Sequence, residues 1–419
     1  MQMEKFDAIV LGAGIIGVCT SLHLQLKGYN VCLVDRNFPG SGTSYGNAGL
    51  IERSSVIPYH FPRDFSRLVA YAFNHQTDVR FDWSYLPRIA PWLFQFWRQS
   101  FPKNLEKSTL ALLPLIENSV KEHDLLAQKA GATSFIEPKG WLEIYHTNAA
   151  FDEAKKHLVK LERFHLNYDV LSPRQLQKRI PSISAKLSGA VHWLDPKTVN
   201  DPGGLTVAYA NYFIKQGGTF LNLDALKTEN HHGLWSIKDN GHIISTPNIV
   251  VALGAQSMHF LTKFGYRHIP FAIKRGYHIH YRPINEDTQL KHSVCDPFSG
   301  FVLAPMRQGI RLTTGIEFAR ENAPAYWTQI KRAEKIAKDI FPLGETIESV
   351  PWLGERPCLA DMRPVIGKAP GHEGLWFNFG HAHHGLTLGA VSGKLLAQMM
   401  TGEQPLTSPN AFSLTRFTK

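Results

Sequence analysis

The stretch from Phe6 through Leu11 to Gly12-Ala13-Gly14-Ile15-Ile16-Gly17 constrains this chain more than any other. It reads as a buried strand, a glycine turn and a helix that ends near Lys27-Gly28. Gly12 permits the tight turn, Gly14 lets a pyrophosphate approach the backbone, and Gly17 lets helix and strand pack closely. The helix N-terminus then faces the phosphates. A bare G-x-G-x-x-G is weak on its own. Here a second apolar run, Val31 to Val34, ends on Asp35, roughly 20 residues beyond Gly14, where an acid can accept hydrogen bonds from an adenosine ribose. The predicted nucleotide-binding set at this end is Gly12, Gly14, Ile15, Ile16, Gly17, Asp35 and Arg36.

A second loop, Pro39 to Gly49, is too rich in glycine and small residues for a regular element. Its residues Ser44, Gly46, Asn47, Ala48 and Gly49 bring backbone amides against something flat or anionic, unless the loop is only surface connection. A chain of 419 residues exceeds what one small core organises, so two domains are expected. The formal charge of +10 favours an acidic substrate or an anionic membrane surface. Nucleic acid is disfavoured, because no basic block interleaves with aromatics. Cys19, Cys32, Cys295 and Cys358 lack metal-ligand spacing, and a reducing compartment suits them. The N-terminus runs straight into the first strand without the regions of a signal peptide, and no stretch is apolar for long enough to span a bilayer. These features predict a cytoplasmic protein.

Residues 81–101 concentrate Trp and Phe with Arg. Two readings remain open: a helix pair packed on its own domain, or a membrane-surface or quinone-facing patch. A helix follows from Leu105 to Ala130. Trp141 to Tyr145 alternates as a strand, and Asp201-Pro202 opens a helix running to Gly217. A hairpin turns at Asp239-Asn240-Gly241. Ile249 to Leu253 reads as a strand ending in Ala252 and Gly254, which returns the chain to the nucleotide-binding sheet. Strand-like runs from Arg275 to Ile316 suggest a separate, largely antiparallel sheet. Near the C-terminus, Trp376 to Phe379 reads as a strand and Leu388 to Met400 as a helix, separated by a loop holding Gly380, His381, His383, His384 and Gly385. Three histidines invite a metal reading. It is disfavoured because no carboxylate or cysteine lies near them in sequence.

Taken in order, the first glycine motif, Ser44 to Gly49, Ala252 to Gly254, Lys274-Arg275-Gly276-Tyr277, Arg356-Pro357 with Asp361, and Gly380-His381 with Gly385-Leu386-Thr387 resemble the bacterial FAD-dependent D-amino-acid dehydrogenases. That group sits in the superfamily of D-amino-acid oxidase, glycine oxidase and sarcosine oxidase. The resemblance implies an α/β fold, a Rossmann-like FAD-binding domain with an interleaved substrate domain built on a mixed, largely antiparallel sheet. The implied segments are 1–55, 148–262 and 346–419 for FAD, and 56–147 and 263–345 for substrate. It also implies FAD held without a covalent bond, with Gly380 and the Gly385 to Thr387 amides at the flavin. Arg356 matches the substrate-carboxylate arginine, with Arg275, Arg307 and Arg311 next in line, and Tyr277 and His381 are implied at the reacting end. His383 and His384, which stand where relatives carry smaller residues, fall near the substrate side chain, as does Cys358 to Asp361.

The implied reaction is oxidation of a D-amino acid at Cα to a 2-oxo acid and ammonium, with electrons passed to quinone on the inner face of the cytoplasmic membrane. Orientation does most of the work, through a two-bond guanidinium clamp and a helix dipole. Rivals are an enzyme for glycine, sarcosine or a hydroxyproline-like imino acid on the same fold, and a flavoprotein docking subunit.

Overall fold

The computed structural model describes residues 3–62, 68, 69, 71, 73, 74, 76–184 and 186–417. Two sheets carry the molecule. The first has six strands in the order Thr219–Asn222, Val31–Asp35, Ala8–Leu11, Ile249–Val251, Leu375–Phe379 and Val365–Lys368, all parallel except the last. Its central strands are apolar at every position because both faces are covered. Ala8, Val10, Val31 and Leu33 enter one core, while Ile9, Leu11, Cys32 and Val34 enter the other.

On the first face lie the helices Ile15–Leu26, Pro202–Lys215 and Gly385–Thr401. Added Cβ atoms at Gly389 and Gly393 would come within 2.8 Å of Ile15 and of the Cys19–Thr20 backbone, so these glycines set the helix spacing. The opposite face is covered by a four-stranded sheet containing the expected hairpin, Leu234–Asp239 with His242–Thr246. Asn240 and Gly241 at its tip both have positive φ, 45° and 80°, as a tight two-residue hairpin requires. The helix at Pro202 starts as the sequence predicts: the Asp201 carboxylate accepts the Gly204 N–H at 2.8 Å.

The second sheet has ten strands and is mixed but mostly antiparallel. Its long central strand, Phe271–Tyr281, pairs from Phe271 to His278 with the whole of Trp352–Leu359. Two of the segments implied for FAD also contribute strands to this sheet. Within 148–262, Tyr168–Leu171 pairs with Gly189–Trp193, which in turn pairs with Trp141–Tyr145 in the second sheet. Within 346–419, Trp352–Leu359 belongs there too. Short apolar runs look alike in either sheet, and only long-range pairing assigns them.

The aromatic run forms the helix Leu86–Gln99, followed by Pro102–Lys129. Ile89, Trp92 and Phe96, at helical spacing, are buried against Ala272, Phe318 and Cys358. Phe94, Trp97 and Phe101 remain exposed, with Phe94 stacked on Trp97 and Phe101 meeting Trp97 edge-on. No helix among the described residues is long and apolar enough to cross a membrane.

Candidate functional site

A cavity of about 1220 Å³ runs from the first glycine turn to the face of the second sheet. At its near end Gly12 has φ +103°, and an added Cβ would lie 2.4 Å from the Ala252 carbonyl oxygen. A Cβ on Gly17 would lie 1.7 Å from the Gly12 carbonyl oxygen, which explains the strand-to-helix contact. Asp35 and Ser44 organise this turn: the Ala13 N–H donates to Asp35 Oδ2 at 2.8 Å and the Ile15 N–H to Ser44 Oγ at 2.9 Å. Arg36 lines the cavity beside them and lies 3.7 Å from Asp224.

The second glycine loop is held from the second sheet. Arg311 donates to the Tyr45 and Asn47 carbonyls at 2.8 and 2.5 Å, and the Trp352 ring covers Gly46 so closely that a Cβ there would lie 1.8 Å from it. Asn47 accepts the Gly49 N–H at 2.8 Å. Burial lowers the Arg311 pKa to about 10. On the other wall the helix Gly385–Thr401 begins without a side-chain cap. Its Gly385, Leu386 and Thr387 N–H groups have no acceptor among the described residues, as expected of a helix's first turn, and Gly385 and Leu386 line the cavity. The Thr387 hydroxyl points elsewhere, donating to the Leu50 carbonyl and accepting the Glu52 N–H.

Arg356 faces the cavity from the strand Trp352–Leu359. Its guanidinium donates to the Gly315 carbonyl at 3.1 Å and has no acid within ion-pair distance among the described residues. Burial depresses its pKa. It lies over Gly276, where a Cβ would come within 2.6 Å of Nη1. None of its stand-ins is available: Arg275 is buried with Glu317, Arg307 donates to Ser134, and Arg311 serves the second loop.

Tyr277 is not brought to Arg356. Lys274, the cross-strand partner of Arg356, and Gly276 share its face, so Tyr277 projects to the opposite one. There its hydroxyl donates to Glu317 at 2.5 Å and accepts the Tyr326 N–H at 3.0 Å. An aromatic hydroxyl in the cavity comes instead from Tyr59, whose ring lies 4.3 Å from that of His383. Nothing in the local sequence around Tyr59 signalled this.

Burial disfavours the charged form of all three histidines. Burial lowers His381 to about 3, and its Nε2 meets Ser392 Oγ at 3.1 Å. His384 is lowered by burial to about 4 and meets Ser55 Oγ at 3.0 Å. His383 is pushed well below the usual range by burial, then by His384, Lys274 and Arg356, and its Nε2 has no partner. Glu52 stands 4.0 Å from His384, and burial raises its carboxyl to about 7. Glu52, His383 and His384 thus bring three ligand atoms within 4.8 Å of one another, so a carboxylate does join the histidines in space although none is near in sequence. Lys274 and Arg356, close enough to depress His383, make the position electrostatically poor for a divalent cation.

A family model described as FAD dependent oxidoreductase, DAO, matches residues 7–399. A curated D-amino-acid oxidase from Bradyrhizobium diazoefficiens is 29% identical across an alignment of 430 positions, covering 99% of each chain. Among solved structures, glycine oxidase from Geobacillus kaustophilus superposes with TM-score 0.77 at 18% identity over 100% of both chains. L-amino acid deaminase from Proteus vulgaris gives 0.73 at 17%, covering 99% of this chain and 98% of that one. Both structures share the fold.

Proposed function

The chain belongs to the family of FAD-dependent oxidoreductases, and within it we propose that it oxidises D-amino acids at Cα, giving a 2-oxo acid and ammonium after the imine hydrolyses. FAD, when bound, supplies the two-electron acceptor for such a step. The residues present fit it. Asp35 and Arg36 would hold the adenosine ribose, and the amides of Gly14 and Ile16 with Ser44, which already takes the Ile15 N–H, would hold the pyrophosphate. Gly46, Asn47, Ala48 and the acceptor-free amides at Gly385 to Thr387 would hold the ring system.

One observation carries the substrate reading: Arg356, desolvated and without an acid, faces the cavity with a guanidinium fork suited to a carboxylate. Glu52, with its carboxyl raised to about 7, is placed to take the proton that a substrate ammonium must lose near neutrality. Tyr59 and His383 line the substrate side of the cavity, with the His384 ring 3.8 Å behind that of His383, and His383 offers a ring nitrogen with no partner among the described residues. The D configuration is supported by the name of the relative at 29% identity.

Arg356→Ala tests this reading. Losing one partner of a desolvated charge pair costs about 2 to 5 kcal/mol, so kcat/KM should fall by about one and a half to three and a half decades with flavin still bound. Arg356→Lys should recover little, since an ammonium lacks the planar fork. A matched amine without a carboxylate should be unaffected. Equal loss on both substrates, together with the flavin, would make Arg356 structural. A panel of D- and L-amino acids and imino acids, scored by anaerobic bleaching of the flavin, assigns the substrate. Two readings of the electron acceptor each have an observation behind them. The exposed ridge of Phe94, Trp97 and Phe101 favours a membrane-borne quinone, whereas the relative named an oxidase favours dioxygen. Peroxide yield per turnover separates them.

A further inference from the structure

Buried cations in this molecule are generally answered by the protein itself. Arg275 is answered by Glu317, Arg363 and Arg416 by Asp361, and Arg311 by two carbonyls. Lys274 and Arg356 are not. They are register partners on adjacent antiparallel strands and project from one face of the sheet into the cavity. Lys274 is 5% exposed and has neither an acid within ion-pair distance nor a hydrogen-bond acceptor among the described residues. Around its ammonium stand three rings, Trp92 at 5.2 Å, Phe96 at 4.6 Å and Phe318 at 5.8 Å. They steady the charge through their π faces but do not neutralise it. The adjacent Cys358 thiol stays protonated because burial raises its pKa more than the two cations lower it. Among the described residues, none of the five acids that line the cavity forms an ion pair with the two cations: Glu52 lies near His384, Glu143 accepts the Trp193 indole N–H at 3.1 Å, Asp78 accepts the Tyr71 hydroxyl, Asp35 accepts the Ala13 N–H, and Glu355 stands opposite Arg275 on the other face of the strand pair.

We infer that the substrate carries a second carboxylate, which Lys274 binds while Arg356 holds the one next to the reacting carbon. The substrate class is therefore a dicarboxylic amino or imino acid. Side chains of cross-strand partners start about 4.5 to 5.5 Å apart, a spacing suited to two acids a few bonds apart on one molecule. A monocarboxylic zwitterion would leave one of the two desolvated charges uncompensated, and a dicarboxylic one compensates both. The aromatic run of the helix Leu86–Gln99 gains a role in this arrangement, because Trp92 and Phe96 on its buried face hold the Lys274 ammonium at the cavity wall. The inference rests on Arg356 as carboxylate clamp.

The test uses the flavin-loaded enzyme and the unreactive acids glutarate and butyrate, with affinity read by calorimetry. Glutarate should bind at least about 30-fold more tightly than butyrate. Lys274→Met should abolish that preference while leaving butyrate binding within about threefold, and Lys274→Arg should keep most of it. D-glutamate should likewise bleach the flavin faster than D-norvaline in the wild type and not in Lys274→Met. Equal affinity of the wild type for the two acids, or a preference that survives Lys274→Met, overturns the inference. If Lys274→Met loses its flavin, the wild-type ratio and Lys274→Arg still decide. Failure of the parent reading looks different: Arg356→Ala would bind butyrate as well as the wild type does, whatever the glutarate ratio.

Discussion

The two faces of the strand Phe271–Tyr281 solve the same problem in opposite ways. On one face Arg275, Arg80 and the Tyr277 hydroxyl converge on Glu317, and Arg275 and Glu317 are fully buried. Arg275 Nε lies 3.3 Å from Glu317 Oε2, an ion-pair distance without hydrogen-bond alignment, and its other nitrogens donate to the Arg320 and Pro324 carbonyls. On the other face, one residue away, Lys274 and Arg356 have no acid within ion-pair distance among the described residues. The first face is completed by the chain and serves the fold. The second is electrostatically incomplete, a state that a folded protein retains only where something else supplies the counter-charge.

The largest effect expected from this contrast is on stability. Glu317→Ala strips the counter-charge from two basic groups at once and should cost about 3 to 5 kcal/mol in urea unfolding. Lys274→Met removes a buried cation that no acid offsets, so its stability should fall within about 1 kcal/mol of the wild type or above it. If both variants lose the same stability, the two faces do not differ and the contrast fails.

Gly276→Ala sharpens the comparison from the cavity side. The added methyl meets the guanidinium of Arg356 rather than backbone, so the side chain shifts and the fold survives. A misplacement of about 1 Å at a positioning group costs on the order of 100-fold in rate, and kcat/KM for carboxylate substrates should drop accordingly with little change in unfolding midpoint. Wild-type activity in this variant would mean that the guanidinium does not work from its place over Gly276.

The smallest effect is a pH slope. Glu52 has a folded pKa of about 7 against an ordinary value of 4.5, so between those values the folded protein binds more protons than the unfolded chain. Its contribution to stability is therefore most favourable at acid pH and declines as pH rises through that window. Unfolding free energy measured at several pH values should fall less steeply in Glu52→Gln. Parallel slopes would place Glu52 in a solvated environment.

Much of the architecture could be read along the chain because its signals are local. The strand, glycine turn and helix from Ala8 to Leu26, the acid at Asp35, the cap at Asp201 and the hairpin at Asn240-Gly241 are each written within a few residues. Arg356, singled out by its motif with Pro357, lines the cavity. Tyr277 was implied at the reacting end by the same resemblance; it borders the cavity, but strand alternation turns its hydroxyl to Glu317 on the opposite face, and motif spacing carries no information about which way a side chain points.

The sequence by itself determined the nucleotide-binding half and the residue types available to the site. Tertiary structure alone decided which of them meet. It brought Glu52 and Tyr59 to His383 and His384, set Lys274 beside Arg356, and engaged Arg275, Arg307 and Arg311 elsewhere. The reason is the range of the interactions: turns, caps and periodicity act over a few residues, whereas the charge state and pairing of a buried group depend on strands that are distant in sequence and come together only through register.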